Sequence, residues 1–218
     1  LPAGRHNSGP QLRIRRSFRY RERLGSSTEP CGIRSQNVGT STYHRDMLPG
    51  HSSYCASGTT VTFHWRRYDH TSRAIDEALD SLEEAVFGKE GRLRNPYMVG
   101  TARGVFRAIL ERAEIGALED PDEVRRIVRP TPGRMFEFRW NDIVVLEMHA
   151  GVQRRLTVPV RLLEIEASIR PNEALGLRAF EKDTAGSPDE IRAAQNHEID
   201  LASRAFTALI TDQPHSQK

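Results

Sequence analysis

A chain of 218 residues that is 37% hydrophobic and 28% charged can bury the core of one domain with an extension, or of two small domains. Its mean hydropathy of -0.59 and the absence of any apolar run approaching about 18 residues exclude a helical membrane span and describe a soluble globular protein. Two widely separated cysteines, Cys31 and Cys55, exclude a disulfide scaffold and lack C-x-x-C spacing, so a reducing, cytoplasmic setting is expected.

The net charge of +3 conceals a division within the chain. Residues 1–60 hold nine Arg and no Lys against Glu22, Glu29 and Asp46, a balance of +6 that leaves -3 for the remainder. The pI of about 9.1 therefore describes the N-terminal part, and basic residues further on must be weighed one at a time. Residues 1–59 are rich in Arg, Ser, Gly, Pro and Thr without helical or strand periodicity, which reads as a disordered basic extension. The Arg residues between Arg13 and Arg23, with Phe18 and Tyr20 interleaved, suit either a solvated tail or an RNA-binding arm, the tail being the commoner outcome of a charge run. No apolar stretch follows the basic start, so a secretory signal is not expected. The chain begins at Leu1 and reaches its first methionine at Met47, and part of this segment is expected to lie outside the natural product.

Order is expected from Thr60, where Val61, Phe63 and Trp65 alternate with polar residues as in a half-buried strand. Ile75, Leu79, Leu82 and Val86 then fall on one helical stripe that Gly88 ends. A second helix over residues 101–115 turns Val105, Phe106, Ile109, Leu110 and Ala113 inward. Asp120-Pro121-Asp122-Glu123 has the form of a helix start, so a short helix through Val124, Ile127 and Val128 is expected before Pro130.

From Gly133 the period changes to two. Phe136, Phe138 and Trp140 face one way, and that stripe is expected to be core and not a base-stacking platform. Asn141-Asp142 is expected to turn the chain into a strand ending at His149, and Ala150-Gly151 to turn it again. Strands over residues 158–165 and 175–180 follow, with Pro159 marking an edge or a bulge. Ser187-Pro188-Asp189-Glu190 is a capping box opening a long helix with Ile191, Ala194, Ile199, Ala202, Phe206 and Leu209 on its packed stripe, and residues 213–218 form a tail. This order is that of a small α+β fold with helices covering one face of an antiparallel meander.

Three segments carry the chemical signal: Phe136-Glu137-Phe138-Arg139, Val160-Arg161-Leu162-Leu163, and residues 180–188, Phe-Glu-Lys-Asp-Thr-Ala-Gly-Ser-Pro. Over about residues 60–212 they resemble the RelE/HigB superfamily of type II toxin-antitoxin toxins, in particular its phage-derived HigB-like branch. That family shows an aromatic-Glu-Leu-Arg strand, an Arg-x-Leu strand and the run Phe-x-Lys-Lys-Thr-x-x-Thr-Pro before a helix. The third segment agrees at Phe180, Lys182, Thr184 and Pro188 with unchanged spacing, and Ser187 stands for a Thr. Residues 197–202 are similar to the family's helix-end pattern. The chain departs from the family at Asp183, where a second lysine is usual, at Gly186, a basic position, and in extra residues around 150–158.

The resemblance implies a RelE-like α+β fold and a toxin that cuts mRNA on the ribosome, held inactive by a helix-turn-helix antitoxin. Its partners would be that antitoxin, mRNA and the ribosome, and no membrane. Carried over by position, it gives Lys182, Arg139 and Arg161 the phosphate-facing and catalytic roles. RNA brings its own nucleophile, the 2′-hydroxyl, so fixed cations that orient the backbone and stabilise the phosphorane can suffice without a metal or other cofactor. Lys182 is one of three lysines in an Arg-using chain, which suits an amine chosen for its tunable proton. His149, beside a turn, is the candidate general base. Each residue also has a structural reading: a surface charge for Lys182, a pair with Glu137 or Glu147 for Arg139, a pair with Glu164 or Glu166 for Arg161, and an ordinary loop position for His149. The alternative function is a catalytically inactive RelE-like module that binds a protein or RNA.

Overall fold

The structure, a computed structural model, describes residues 52–69 and 72–211. Most of the expected basic extension, residues 1–51, and the tail at 213–218 lie outside the described residues. A single turn at Tyr54–Ala56 precedes β1 (Thr62–Trp65), α1 (Ala74–Phe87), α2 (Pro96–Glu114), β2 (Val124–Arg126), β3 (Arg134–His149), β4 (Val152–Glu166), β5 (Glu173–Glu181) and α3 (Pro188–Thr211). The strands form one mixed sheet in the order β1-β5-β4-β3-β2, antiparallel throughout except for the parallel pair of β1 with β5. No described helix is long and apolar enough to cross a membrane.

The helices form where the apolar stripes demand burial. α1 turns Leu79, Leu82 and Val86 inward, and the Gly88 N–H closes it by donating to Glu84 O at 2.9 Å. α2 begins five residues earlier than expected, because Asn95 caps it by accepting from the N–H groups of Tyr97 and Met98 and Pro96 takes the first turn. At α3 the capping box is reciprocal: the Ser187 N–H donates to Glu190 Oε2 at 2.7 Å, and the Glu190 N–H to Ser187 Oγ at 3.3 Å. These bonds to Ser187 hold the Glu190 carboxyl below the usual range.

Four expectations are corrected. Residues 124–126 form a strand and not a helix, because Val124 and Arg126 align with Phe138 and Phe136 and the ladder offers partners that a short isolated helix would lack. Asn141-Asp142 is not a turn but the bulge within one sixteen-residue strand: Trp140 pairs with Val160 and Ile143 with Val158, so two residues of β3 oppose Pro159 alone. The extra residues around 150–158 thereby become the far end of a continuous β3–β4 hairpin, whose tip is the expected Ala150-Gly151 turn. The domain also begins before Thr60. Ser53 and Cys55 are buried, Leu118 N–H donates to Cys55 O at 3.0 Å, and a Cβ at Gly116 would stand 2.5 Å from Thr59 O, so only glycine permits that crossing.

The fourth correction concerns layers. Helices cover both faces of the sheet, not one. On one face α1 and α2 pack over Phe63, Trp65, Phe138, Trp140 and Leu162, with Phe106 of α2 meeting Trp140 edge-on at 5.3 Å. On the other, α3 lays Ile199, Ala202 and Phe206 against Met135, Leu163, Ile165, Leu175 and Leu177. The Phe136, Phe138 and Trp140 stripe is core, at 1%, 0% and 3% exposure.

Candidate functional site

Strand periodicity decides which charges share a surface. Met135 belongs to the α3 face, so Glu137 and Arg139, two and four residues on, point to that side, as does Arg161 two residues before Leu163. Arg139 lies directly opposite Arg161 in the ladder, and Arg161 opposite Phe180. The Lys182 N–H donates to Pro159 O at 2.8 Å, which carries the row of cations one strand further, just past the end of β5. The structure thus brings Arg139, Arg161 and Lys182 together across three neighbouring strands, at the end of the face that α3 leaves open.

Two arginines opposite each other on a sheet repel, and the compensation is Glu137. Its carboxylate, 3% exposed, lies 3.5 Å from Arg139 Nε and 3.9 Å from Arg161 Nε, and accepts a 3.1 Å hydrogen bond from Gln195 Nε2 on α3. Arg161 is equally buried. It donates to Trp140 O at 3.1 Å, Val160 O at 2.7 Å and Asn141 Oδ1 at 3.1 Å, so it braces the bulge from behind. Burial lowers its guanidinium from the ordinary value, Glu137 opposes that shift, and Arg139 adds to it. Glu164 and Glu166, the expected partners of Arg161, sit an odd number of residues away and face the other side of the sheet.

Arg139 is more open and donates to Pro121 O at 2.9 Å. Lys182 stands at the rim, half-buried. Burial is the largest cause lowering its amine, followed by the Arg161 charge; Glu137 pulls it back up, and Arg139 and Arg125 push it down again. The field of this cluster therefore makes Lys182 a readier proton donor than a free surface lysine.

Lys182 and Glu137 open on a groove of about 390 Å³ between β2 and α3, whose lining includes neither Arg139 nor Arg161. Arg125, Arg126 and Arg129 line one wall, Arg192 and Gln195 the other, with Lys182 at the end and Glu137 on the floor. Arg129 is tied to Asp200 at 2.7 Å. The wall residues went unrecognised because residues 124–128 were expected to be helical; as a strand they bring their arginines beside Lys182. Glu137 was expected only as a pair partner of Arg139, a reading that the 3.5 Å ion pair bears out without exhausting its role. Gln195 carried no signal in the sequence.

The two departures from the family motif have structural jobs. Asp183 Oδ1 accepts the Ala185 N–H at 2.8 Å, closing the turn after β5. Gly186 has φ of +105°, and a Cβ there would meet Glu190 Oε2 at 2.9 Å, so a longer side chain is strained where this chain has none. His149 is not part of the constellation. It is exposed at the tip of the β3–β4 hairpin, in register with Val152, ten residues beyond Arg139 or roughly 30 Å along the strand. A general base acting beside Lys182 cannot be supplied from there.

Comparison with known proteins leaves the groove to be read from its own residues: no family model matches the chain, and no curated protein and no solved structure matches it.

Proposed function

We propose that the groove holds an RNA backbone and that the chain is a RelE-like toxin, a cytoplasmic, metal-independent endoribonuclease that cuts mRNA on the ribosome under the control of a helix-turn-helix antitoxin. The observation that carries the reading is the row of Arg139, Arg161 and Lys182 across neighbouring strands, the two arginines beside buried Glu137 and Lys182 in a groove walled by further arginines. The roles divide by exposure. Arg161 and Glu137 are framework, since both are buried and their polar atoms are engaged within the protein. Lys182 and Arg139 are the groups that reach substrate. Lys182, with its lowered amine, supplies the proton that the leaving 5′-oxygen needs or the charge that the phosphorane needs, while Arg139 and Arg125 hold neighbouring phosphates. The element order also supports the RelE-like assignment: a strand and two helices precede the meander and a helix closes the chain.

Induced expression in cells tests the reading. Growth arrest with mRNA cleavage is expected, with Lys182→Ala and Arg139→Ala each reducing cleavage about 10² to 10³-fold. Harmless expression of the folded wild-type chain in the absence of any antitoxin refutes it. Asp183→Asn is a gain-of-binding companion. It keeps the oxygen that accepts the Ala185 N–H and removes the negative charge beside Lys182, so single-stranded RNA should bind more tightly and with a steeper loss on adding salt.

The second reading, a binding module without catalysis, draws on the same burial: both terminal nitrogens of Arg161 are given to backbone carbonyls and Asn141. It predicts RNA or protein binding that survives Lys182→Ala, with no cleavage product at any enzyme concentration.

A further inference from the structure

The face of the sheet opposite the groove contains a second polar cluster that the RNA reading does not use. Cys55 Sγ and one oxygen from each of Glu164 and Glu166 all lie within 4.8 Å of one another, and the three residues are 0% exposed. Cys55 is delivered by the turn at Tyr54–Ala56. Ser53 positions that turn, donating from Oγ to Glu166 Oε1 at 2.7 Å and accepting from the Cys55 N–H at 3.0 Å. Glu166 is further held by the Tyr54 N–H at 2.5 Å and by Arg134 Nη2 at 2.7 Å.

Glu164 is different. It is completely buried, and neither of its carboxylate oxygens has a hydrogen-bond partner. An unpartnered carboxylate in an interior is among the costliest groups a fold can carry. The β4–β5 ladder shifts register beside it, between Leu163 and Glu164, with the extra residue, Leu177, on β5. Gly176, paired with Glu164, is packed so closely by Trp65 that a Cβ would stand 2.6 Å from the indole.

We propose that Cys55, Glu164 and Glu166 bind a divalent cation of the zinc class. One thiolate and two carboxylates form a borderline donor set: sulfur disfavours magnesium and calcium, and oxygen disfavours cuprous copper. Cys55 Sγ and one oxygen each from Glu164 and Glu166 provide three of the four positions such an ion takes, leaving the second unpartnered oxygen of Glu164 to take the fourth. Metal–sulfur and metal–oxygen bonds of about 2.3 and 2.0 Å draw the donors slightly inward from their present spacing. Charge closes too. Two carboxylates and a thiolate are balanced by the cation and Arg134, and the bonds from Ser53, Tyr54 and Arg134 to Glu166 are the outer support that metal-binding carboxylates use. A site buried on every side is structural. It fastens the turn at 54–56 to β4 and so ties the start of the domain to the centre of the sheet.

The full-length chain, freed of any affinity tag, tests this by elemental analysis and by titration with Zn²⁺ and Co²⁺. One equivalent of zinc per chain is expected, a rise in thermal midpoint on adding Zn²⁺, and thiolate-to-cobalt charge-transfer absorption in the Co²⁺ form. Cys31→Ser should leave all three unchanged, whereas Cys55→Ser and Glu164→Gln should each weaken binding at least about tenfold. Wild-type protein that binds neither ion, or a cobalt form without the thiolate band, overturns the proposal without recourse to any variant. So does a Glu164→Gln protein whose midpoint rises equally with and without zinc, the behaviour of a buried carboxyl pair that shares a proton.

Discussion

The two faces of the sheet are covered to different extents, and their chemistry follows the cover. Beneath α1 and α2 the inward residues of β3 and β4 from Phe136 to Leu162 are chiefly aromatic and aliphatic, with Phe138 and Leu162 at 0% exposure, and only beyond them does β4 turn Glu164 and Glu166 to that side. Beneath α3 an apolar patch occupies one end, and at the other Glu137, Arg139, Arg161 and Lys182 stand where the helix gives way to the groove. Over that apolar stretch closed cover allows burial to be dispersive and undirected. Partial cover obliges each buried charge to find a partner, and the partners fix its position.

Three experiments sharpen this comparison. The largest effect is expected on the closed face: Phe138→Ala should cost about 3–5 kcal/mol in chemical denaturation, since that ring is 0% exposed within the larger core and packs beside Phe63 at 6.3 Å. A loss near that of an ordinary surface change would mean that the closed face is not the principal core. On the open face Glu137→Ala should cost about 3 kcal/mol, because it strips buried Arg161 of its counter-charge. Glu137→Ala should also lower the Lys182 amine further, as Glu137 is the charge that raises it, and nitrogen-detected titration of that lysine would read the shift.

The smallest effect concerns pH. The Lys182 amine is lowered in the fold relative to about 10.4 in an unfolded chain. Its charged form is therefore disfavoured in the native state, a cost fully present below the folded value and relieved as pH rises to the unfolded one. Lys182→Met should be more stable than wild type at neutral pH by less than about 1 kcal/mol, given the exposure of the rim, and the difference should close in the alkaline range. A gap that widens instead on raising pH would reverse the assigned sign.

Much of this architecture was legible because local chemistry and burial agree there. The α1 and α3 stripes, the capping box at Ser187, the inward aromatics of β3 and the glycine turn at the hairpin tip each satisfy their own backbone or bury their own apolar surface. The failures share a cause. Asp120-Pro121-Asp122-Glu123 imitates a helix start, and only the ladder with β3 makes residues 124–126 a strand. Asn141-Asp142 suits a turn and a bulge equally, and the pairing of β4 decides between them. The same ladder creates the candidate site. The family resemblance singled out Lys182, Arg139 and Arg161 as candidates, but the basic wall from Arg125 to Arg129, the floor at Glu137 and the clamp from Gln195 come from long-range pairing and from which face α3 covers.

Pro159 shows how that pairing is protected. A proline within a central strand has no N–H to give, and the hydrogen-bonding edge of Pro159 faces Lys182, just past the end of β5, where its carbonyl takes the Lys182 N–H and no return donor is needed. Slipping β4 by one residue would set the proline against a carbonyl that requires a donor and would turn Arg161 into the aromatic core. One imino acid thus acts as an index mark for three strands and holds Arg139, Arg161 and Lys182 in alignment.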